Sequence, residues 1–233
     1  MINYSNPMLI QLRTFGQKLG ILRPAVRMFR KLFNLSYENK FDKIMLSKTL
    51  PGDVVWDIGA NVGFFTKKFS EKVGSAGYVF AFEPSINTYH TLFDNCKDFK
   101  NTKLLNIGLS KISGNLYFRE SGIENDPTNG LVDVDTPGAI VVEISTGDEL
   151  VNNKTVKLPN IIKIDVEGFE IDVIQGMQTI LVNKFLKKVF IEIHFLEMTK
   201  RGLKNGSKEI VDILNKSGFK VNWTDPSHLI AER

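Results

Sequence analysis

Five residues near the ends of two short apolar runs have the types and spacing of a nucleoside-binding site. Asp57, Gly59, Asn61 and Gly63 alternate around the end of the first run, and Glu83 ends a second run twenty residues further on. Glycines let the backbone approach a ligand, and doubly wound sheets bind their ligands at strand ends. A carboxylate such as that of Glu83 can accept hydrogen bonds from both hydroxyls of a ribose.

The loop also indicates which nucleoside is bound. A dinucleotide cofactor requires G-x-G-x-x-G, whereas this loop is G-x-x-x-G and contains Asp57, which would repel a pyrophosphate. The same carboxylate could bind the ammonium of an amino-acid cofactor. We therefore predict S-adenosylmethionine as the cofactor, with Asp57, Gly59, Asn61 and Gly63 at its methionine end and Glu83 on its ribose. A helix-capping role for Asp57 is the alternative.

Three motifs together resemble one known family. They are DIGANVG at 57–63, FEP at 82–84 and IKIDVEGFE at 162–170, and the combination is similar to the FkbM-type methyltransferases over residues 50–195. The resemblance implies a class I enzyme that uses S-adenosylmethionine, commonly to O-methylate sugars or natural-product hydroxyls.

A second group of polar residues follows two later strands. Asp165 ends an apolar run, and it and Glu167 are expected at the cofactor edge, although either could instead cap the next helix. Period-two alternation in 189–195 places Glu192 and His194 on one face of a strand. We expect His194, with a near-neutral pKa and oriented by Glu192, to take the proton of the acceptor hydroxyl in a pocket shared with Asp165. A core histidine is the alternative.

Three polar residues have other possible roles. Asp165, Glu192 and His194 could hold a divalent cation, but they lack a ligand-spacing signature and no metal is predicted. Lys163 lies inside an apolar run and must reach solvent or pair with a carboxylate of a neighbouring strand. Asn106, after the third strand, is assigned to the adenine side of the cofactor or, alternatively, to a turn.

Length and composition favour one α/β domain. The chain has 233 residues, of which 42% are hydrophobic, and a single cysteine. There is no signal-peptide pattern, and no apolar run approaches the ~20 residues that span a bilayer. A cytoplasmic enzyme, soluble or peripheral at a membrane, is expected.

The N-terminal segment 1–37 has a different charge from the rest of the chain. It carries six cations and no acid, and its apolar residues recur at helical spacing. We interpret 1–50 as a helical extension of a methyltransferase domain at 51–233. The extension either packs beside the active site or contacts anionic lipid or an acidic partner.

Strand and helix patterns alternate through the domain. Strands are predicted near 53–57, 77–82, 102–107, 160–165 and 187–194, followed by a closing antiparallel hairpin at 219–223 and 228–231. Alternation of this kind predicts a doubly wound, Rossmann-like sheet of seven strands, the class I methyltransferase fold. Two short strand signals flank a polar loop at 120–138, which is either a lid or substrate contact, or disordered.

The sequence therefore predicts an S-adenosylmethionine-dependent O-methyltransferase acting on a small molecule, sugar or glycan. A nicotinamide-dependent oxidoreductase is disfavoured by the missing G-x-G-x-x-G motif. A non-catalytic nucleoside-binding domain is disfavoured by the acids and histidine beyond the pocket. A nucleic-acid substrate is disfavoured because the chain after the basic segment is slightly acidic.

Overall fold

The computed structural model describes residues 37–119, 130–132 and 139–233. Nearly all of the basic N-terminal segment and most of the loop 120–138 lie outside these ranges, so the predictions made for them stay predictions. No helix in the described ranges is long and apolar enough to cross a membrane.

The described residues contain eleven strands in two sheets. The strands are β1 (Val54–Ile58), β2 (Tyr78–Phe82), β3 (Thr102–Leu105), β4 (Gly108–Leu109), β5 (Gly114–Arg119), β6 (Gly130–Val132), β7 (Ala139–Ser145), β8 (Ile161–Ile164), β9 (Lys188–Glu192), β10 (Lys220–Trp223) and β11 (His228–Glu232). The main sheet has seven strands in the order β10-β11-β9-β8-β1-β2-β3. β11 is antiparallel to both of its neighbours and the other pairs are parallel. The predicted seven-stranded sheet and its closing hairpin are confirmed.

Helices cover both faces of the main sheet. The described helices are α1 (Tyr37–Ser47), α2 (Phe64–Val73), α3 (Ile86–Cys96), α4 (Gly147–Asn152), α5 (Glu170–Gln175), α6 (Gln178–Val182), α7 (Phe195–Lys200) and α8 (Gly206–Lys216). Side chains alternate between the two faces of a strand. Val55 accordingly packs with Met45 and Phe69 of α1 and α2, whereas Trp56 belongs to the core that includes residues of α5, α6 and α8, such as Ile174.

A second, four-stranded sheet has the order β4-β7-β5-β6. The two predicted strand signals correspond to β5 and β7, but the sequence did not predict that they form a separate sheet. Its apolar residues Phe118, Val142 and Ile144 pack on Phe169, in the loop between β8 and α5. The small sheet therefore supports the loop that carries the acidic residues after β8.

Candidate active site

The glycine loop after β1 lies directly against the loop after β8. Gly59 has a left-handed backbone, with φ +76°, and a Cβ atom there would lie 1.8 Å from the carbonyl oxygen of Asp165. At Gly63, with φ +89°, a Cβ atom would lie 2.7 Å from Cys96 Sγ. Asn61, with φ +50°, belongs to a residue type that tolerates this conformation. The loop can therefore adopt this conformation only with glycine at positions 59 and 63, where its backbone lies closest to neighbouring residues.

Glu83 lies at the end of β2, beside this loop, and its side chain is nearly buried. Oε2 accepts the backbone N–H of Asn61 and Oε1 that of Ser85, each at 3.0 Å. Burial raises the pKa of Glu83 to about 7, even though these two backbone hydrogen bonds lower it. Each carboxylate oxygen has a second acceptor direction, so Glu83 can still bind ligand hydroxyls.

Asn106 holds the turn that follows β2. Its Nδ2 donates to the carbonyl oxygens of Glu83 at 2.9 Å and of Pro84 at 3.0 Å. This contact agrees with the structural alternative for Asn106. A contact with adenine stays a prediction, and it would use the side-chain oxygen because both Nδ2 hydrogens are engaged.

Asp57 and Lys163 form a buried ion pair between neighbouring strands. They are directly opposed in the register of β1 and β8, and Lys163 Nζ lies 3.1 Å from Asp57 Oδ1. Thr66 Oγ1 donates to Asp57 Oδ2 at 2.7 Å. Of the two alternatives left open for Lys163, the structure shows the pairing with a carboxylate of the neighbouring strand. Asp57 is therefore held by an ion pair and a hydrogen bond within the protein, and its contact with the cofactor stays a prediction.

Lys163 also connects the glycine loop to the end of β8. Its Nζ donates to the carbonyl oxygen of Gly59 at 2.7 Å and lies 3.5 Å from Asp165 Oδ2. Burial alone would lower the pKa of Lys163, but Asp57 and Asp165 more than offset it and hold this pKa above its usual range. The ammonium therefore stays charged and fixes the spacing of the two loops.

His194 lies among four carboxylates, and we call His194, Asp165 and Glu167 the histidine cluster. Nδ1 is 2.7 Å from Glu170 Oε1. Nε2 is 3.2 Å from Glu167 Oε2 and 3.8 Å from Asp165 Oδ1. Glu192 Oε1 is 3.9 Å from Nε2. The structure therefore brings together the three residues predicted for catalysis, Asp165, Glu192 and His194, places Glu167 with them, and adds Glu170.

Two features of His194 differ from the prediction. β9 ends at Glu192, so His194 lies at the start of α7 rather than in the strand, and Glu170 instead of Glu192 orients the ring. The near-neutral pKa is also wrong. Burial lowers the pKa of His194, but Glu170, Glu167 and Asp165 raise it well above its usual value. Glu170 was missed because an acid at the start of a helix is typical of favourable interaction with the helix dipole.

The loop between β8 and α5 holds Glu167 in an unusual conformation. Glu167 has φ +48°, a left-handed backbone conformation that residues other than glycine rarely adopt. Gly168 follows with φ +98°. The N–H of Gly168 donates to Glu170 Oε1 at 2.9 Å. Burial raises the pKa of Glu167 to about 7, although the charge of His194 lowers it. The loop thus directs the Glu167 carboxylate at the imidazole ring.

A second histidine, not predicted from the sequence, holds Glu192. His228 Nδ1 lies 2.8 Å from Asp225 Oδ1, and Nε2 lies 3.4 Å from Glu192 Oε2. Burial lowers the pKa of His228, but Asp225 and Glu192 raise it to about 9. Burial would raise the pKa of Glu192, but His228 and His194 lower it to about 2. His228 was missed because it lies in the closing hairpin, where a structural role was expected.

The His228 contacts predict a stability that depends on pH. The folded pKa of about 9 lies above the usual 6.5, so protonated His228 stabilises the fold. This contribution is complete below pH 6.5 and is lost as the pH rises through 9. It amounts to on the order of 3 kcal/mol of unfolding free energy, measurable by urea unfolding at about pH 6 and about pH 10.

The comparison variants are His228→Gln and, as a matched control, His90→Gln at an exposed histidine of α3. His194 titrates in all three proteins, so only differences from the wild type are interpreted. His228→Gln should flatten the loss of stability between the two pH values, and His90→Gln should keep it. An unchanged pH dependence in His228→Gln would remove His228 as its source.

A cavity of about 260 Å³ opens beside the histidine cluster. It is lined by residues of α1, α2 and the ends of β8, β9 and β11, namely Phe41, Asp42, Met45, Phe64, Phe65, Lys163, Ile164, Asp165, Glu192 and His228. The lining combines three phenylalanine rings with three acids, a lysine and a histidine. The arrangement can hold a polar molecule with an apolar face against groups able to exchange protons.

The strand order, the glycine loop and the acid after β2 define a class I methyltransferase. The Methyltransferase FkbM domain model matches residues 57–221. A hexuronic acid methyltransferase from Haloferax volcanii, AglP, is 32% identical over 190 residues, covering 81% of this chain and 75% of that protein. The chain belongs to the FkbM methyltransferase family, and its cofactor is S-adenosylmethionine.

Solved structures share the fold at low sequence identity. A methyltransferase FkbM from Methylobacillus flagellatus has a TM-score of 0.53 and 14% identity over 78% of this chain, which spans 43% of that protein. A protein from Streptococcus mutans solved in complex with SAH has a TM-score of 0.50 and 11% identity, covering 82% of this chain and 94% of that one. These likenesses concern the fold.

Proposed function

We propose that the protein transfers the methyl group of S-adenosylmethionine to a hydroxyl of a sugar or glycan. The observation that carries the proposal is the position of the histidine cluster. Asp165, Glu167 and His194 lie at the carboxyl ends of β8 and β9, and Lys163 joins Asp165 to the glycine loop. Groups able to accept the proton of a hydroxyl therefore lie next to the loop expected to hold the cofactor.

The reaction requires that the acceptor hydroxyl be aligned with the methyl group of the cofactor and that a nearby group accept one proton. The cofactor supplies an electrophilic methyl group on a sulfonium, and a correctly placed hydroxyl gives most of the rate. As the acceptor oxygen forms its bond to the methyl carbon, the S–C bond would break and leave S-adenosylhomocysteine. The proton of the hydroxyl would pass to a carboxylate of the histidine cluster, Glu167 or Asp165. Glu170 is a positioning residue, because it holds His194 through Nδ1 without facing the acceptor.

The cavity supports a sugar as the acceptor. Phe64, which is 55% exposed, and Phe65 can cover the C–H face of a ring, while Asp165 and Glu192 can accept hydrogen bonds from its hydroxyls. AglP is named for a hexuronic acid, which carries both hydroxyl and carboxyl groups. We propose a hydroxyl as the methylated group, because the carboxylates of Asp165 and Glu192 can accept its hydrogen bond.

Methyl-labelled S-adenosylmethionine tests the proposal with glycosides of hexuronic acids, matched neutral hexoses and glycan extracts. We expect label on a sugar and retention of that label under mild alkali, because a methyl ether resists hydrolysis. Label released by alkali would indicate a methyl ester and contradict the hydroxyl. Absence of label from every sugar would contradict the substrate class.

The cofactor roles of individual residues belong to the same proposal. Glu83 would bind the ribose, the backbone of Gly59, Asn61 and Gly63 would lie along the methionine end, and Asn106 would lie near the adenine. Asp57 would act indirectly, by holding Lys163 against the glycine loop.

Replacing Glu83 with alanine is expected to weaken S-adenosylmethionine binding by roughly 1.5–3 kcal/mol, the range for hydrogen bonds to a charged group. The variant loses the acceptor for two hydroxyls and also leaves the amides of Asn61 and Ser85 without their partner. Calorimetry with S-adenosylmethionine and S-adenosylhomocysteine measures the change. Glu71→Ala, at an exposed acid of α2, is the control and should bind normally.

NAD should fail to compete with S-adenosylmethionine in the same titration, because the loop lacks the dinucleotide motif. Unchanged cofactor affinity in Glu83→Ala would remove this residue from the site. Thermal melting of both variants separates a lost contact from a lost fold.

A further inference from the structure

We infer that the histidine cluster binds a divalent metal ion of the Mg²⁺ or Mn²⁺ class. His194, Asp165 and Glu167 each offer a ligand atom, and these three atoms all lie within 4.8 Å of one another. The ion's role toward the acceptor rests on the proposed function, whereas the binding site rests on the geometry of the cluster alone.

The distances within the cluster suit octahedral coordination. At metal–ligand distances of about 2.1 Å, adjacent ligands are about 3.0 Å apart and opposite ligands about 4.2 Å apart. Nε2 of His194 lies 3.2 Å from Glu167 Oε2 and 3.8 Å from Asp165 Oδ1. Small rotations of the two carboxylates would therefore bring three protein ligands to coordinating distance.

The orientation of the imidazole ring matches that of a metal ligand. Nδ1 faces Glu170 Oε1 at 2.7 Å and can donate to it, so Nε2 is the ring nitrogen that points toward Asp165 and Glu167. Histidine ligands commonly donate their other ring N–H to a carboxylate in this way. A divalent cation would lie between Nε2 and these two carboxylate oxygens, and the ring would bind it in its neutral form.

Glu170 provides a second observation, independent of the three ligands. It is fully buried, and its Oε2 has no hydrogen-bond partner among the described residues. A buried carboxylate with an unsatisfied oxygen is costly unless positive charge lies close by, and the ring of His194 is the group beside Glu170 that can carry such charge or transmit it from a bound ion. An ion on Nε2 would polarise the ring and place that charge on the far side of the same imidazole.

Two carboxylate oxygens near the ring contact cations outside the cluster, which limits the ligand set. Asp165 directs Oδ2 at Lys163, leaving Oδ1 for the cluster, and Glu192 directs Oε2 at His228. Three protein ligands leave three octahedral positions. Because Asp165 also lines the cavity, two of these positions could take neighbouring hydroxyl oxygens of a sugar and favour loss of one proton.

The chemistry of the donors selects the ion. Carboxylates suit Mg²⁺ and Mn²⁺, whereas the ions that prefer imidazole or thiolate sites are offered one nitrogen and no sulfur. Mn²⁺ accepts the mixed set of one nitrogen and two oxygens and is paramagnetic. It is therefore the probe for the test.

The test is a titration of the metal-stripped full chain with Mn²⁺, without cofactor or acceptor. The electron paramagnetic resonance signal of the free ion measures how much Mn²⁺ remains unbound. We expect one ion per wild-type chain. Glu167→Gln and His194→Gln should each weaken binding by at least about tenfold. Glu197→Gln is the matched control, because its carboxylate pairs with Lys200 on α7, and it should bind like the wild type.

Two results overturn the inference: no saturable wild-type binding below about 1 mM, or equal binding in Glu167→Gln. Circular dichroism and calorimetry with S-adenosylmethionine identify any variant that fails to fold, and Asp165→Asn then replaces it. Mn²⁺ binding without methyl transfer would contradict the proposed function but not the metal site. Methyl transfer by a chain that binds no Mn²⁺ would contradict only the metal site.

Discussion

Replacing His194 with alanine is expected to lower turnover by roughly 10²–10⁴, the usual contribution of a positioned acid–base group, while S-adenosylmethionine affinity stays near that of the wild type. The ring lies at the centre of the histidine cluster, with its nitrogens facing Glu170, Glu167 and Asp165. Glu83 and the glycine loop, expected to hold the cofactor, do not contact it within hydrogen-bond distance. Steady-state kinetics and calorimetry on the same preparation measure the two quantities.

His90→Ala is the matched control, since His90 is an exposed histidine on α3, and its turnover should not change. Full turnover in His194→Ala would make His194 a packing residue. An equal loss of turnover and cofactor affinity would indicate general damage to the site.

Added small molecules distinguish two roles for His194. If the ring only exchanges a proton, free imidazole should restore part of the activity of His194→Ala. If it binds a metal ion, higher Mn²⁺ concentration should restore activity, because Asp165 and Glu167 still offer two ligands.

Much of the main sheet was predictable because its strands carry short apolar runs that end at polar or glycine residues. The pairing of Lys163 was also predictable in kind. A charged lysine inside a buried strand is costly unless a carboxylate lies close to it. The register of β1 and β8 places Asp57 directly opposite Lys163. The separate second sheet was not predictable, because its strands pair across a long polar segment with weak pattern.

The contacts of the histidine cluster depend on backbone detail that periodicity does not carry. Alternation predicted that Glu192 orients His194, but β9 ends at Glu192 and the chain then enters α7. The ring thereby reaches Glu170, and the left-handed backbone of Glu167 turns a further carboxylate toward it. The signal for this turn was the glycine at position 168, which follows two acids in the third motif.

The raised pKa of His194 could not be predicted either, because it also depends on how the backbone places these residues. A sequence shows one acid two residues away, whereas the folded chain places four carboxylates around the ring. Electrostatic effects of this kind depend on loops that meet in space. Residue types alone indicated the chemistry of the site but not the protonation of its members.

Replacing Lys163 with methionine is expected to lower the unfolding free energy by about 3–5 kcal/mol, because it leaves a buried carboxylate without its cation. Asp57 is fully buried, and Lys163 is its ion-pair partner at 3.1 Å. Denaturant unfolding followed by circular dichroism measures the change. Lys100→Met, at an exposed lysine, is the control and should change stability by no more than about 0.5 kcal/mol.

The double variant Asp57→Asn with Lys163→Met shows whether the loss comes from the pair itself. Most of the cost of the single variant is the unpaired charge of Asp57, which the second substitution removes. The double variant should therefore unfold at a higher denaturant concentration than Lys163→Met alone, and the two single effects should not add. Strictly additive effects would mean that Lys163 stabilises the fold through Gly59 and Asp165 instead, the other two groups that its ammonium contacts.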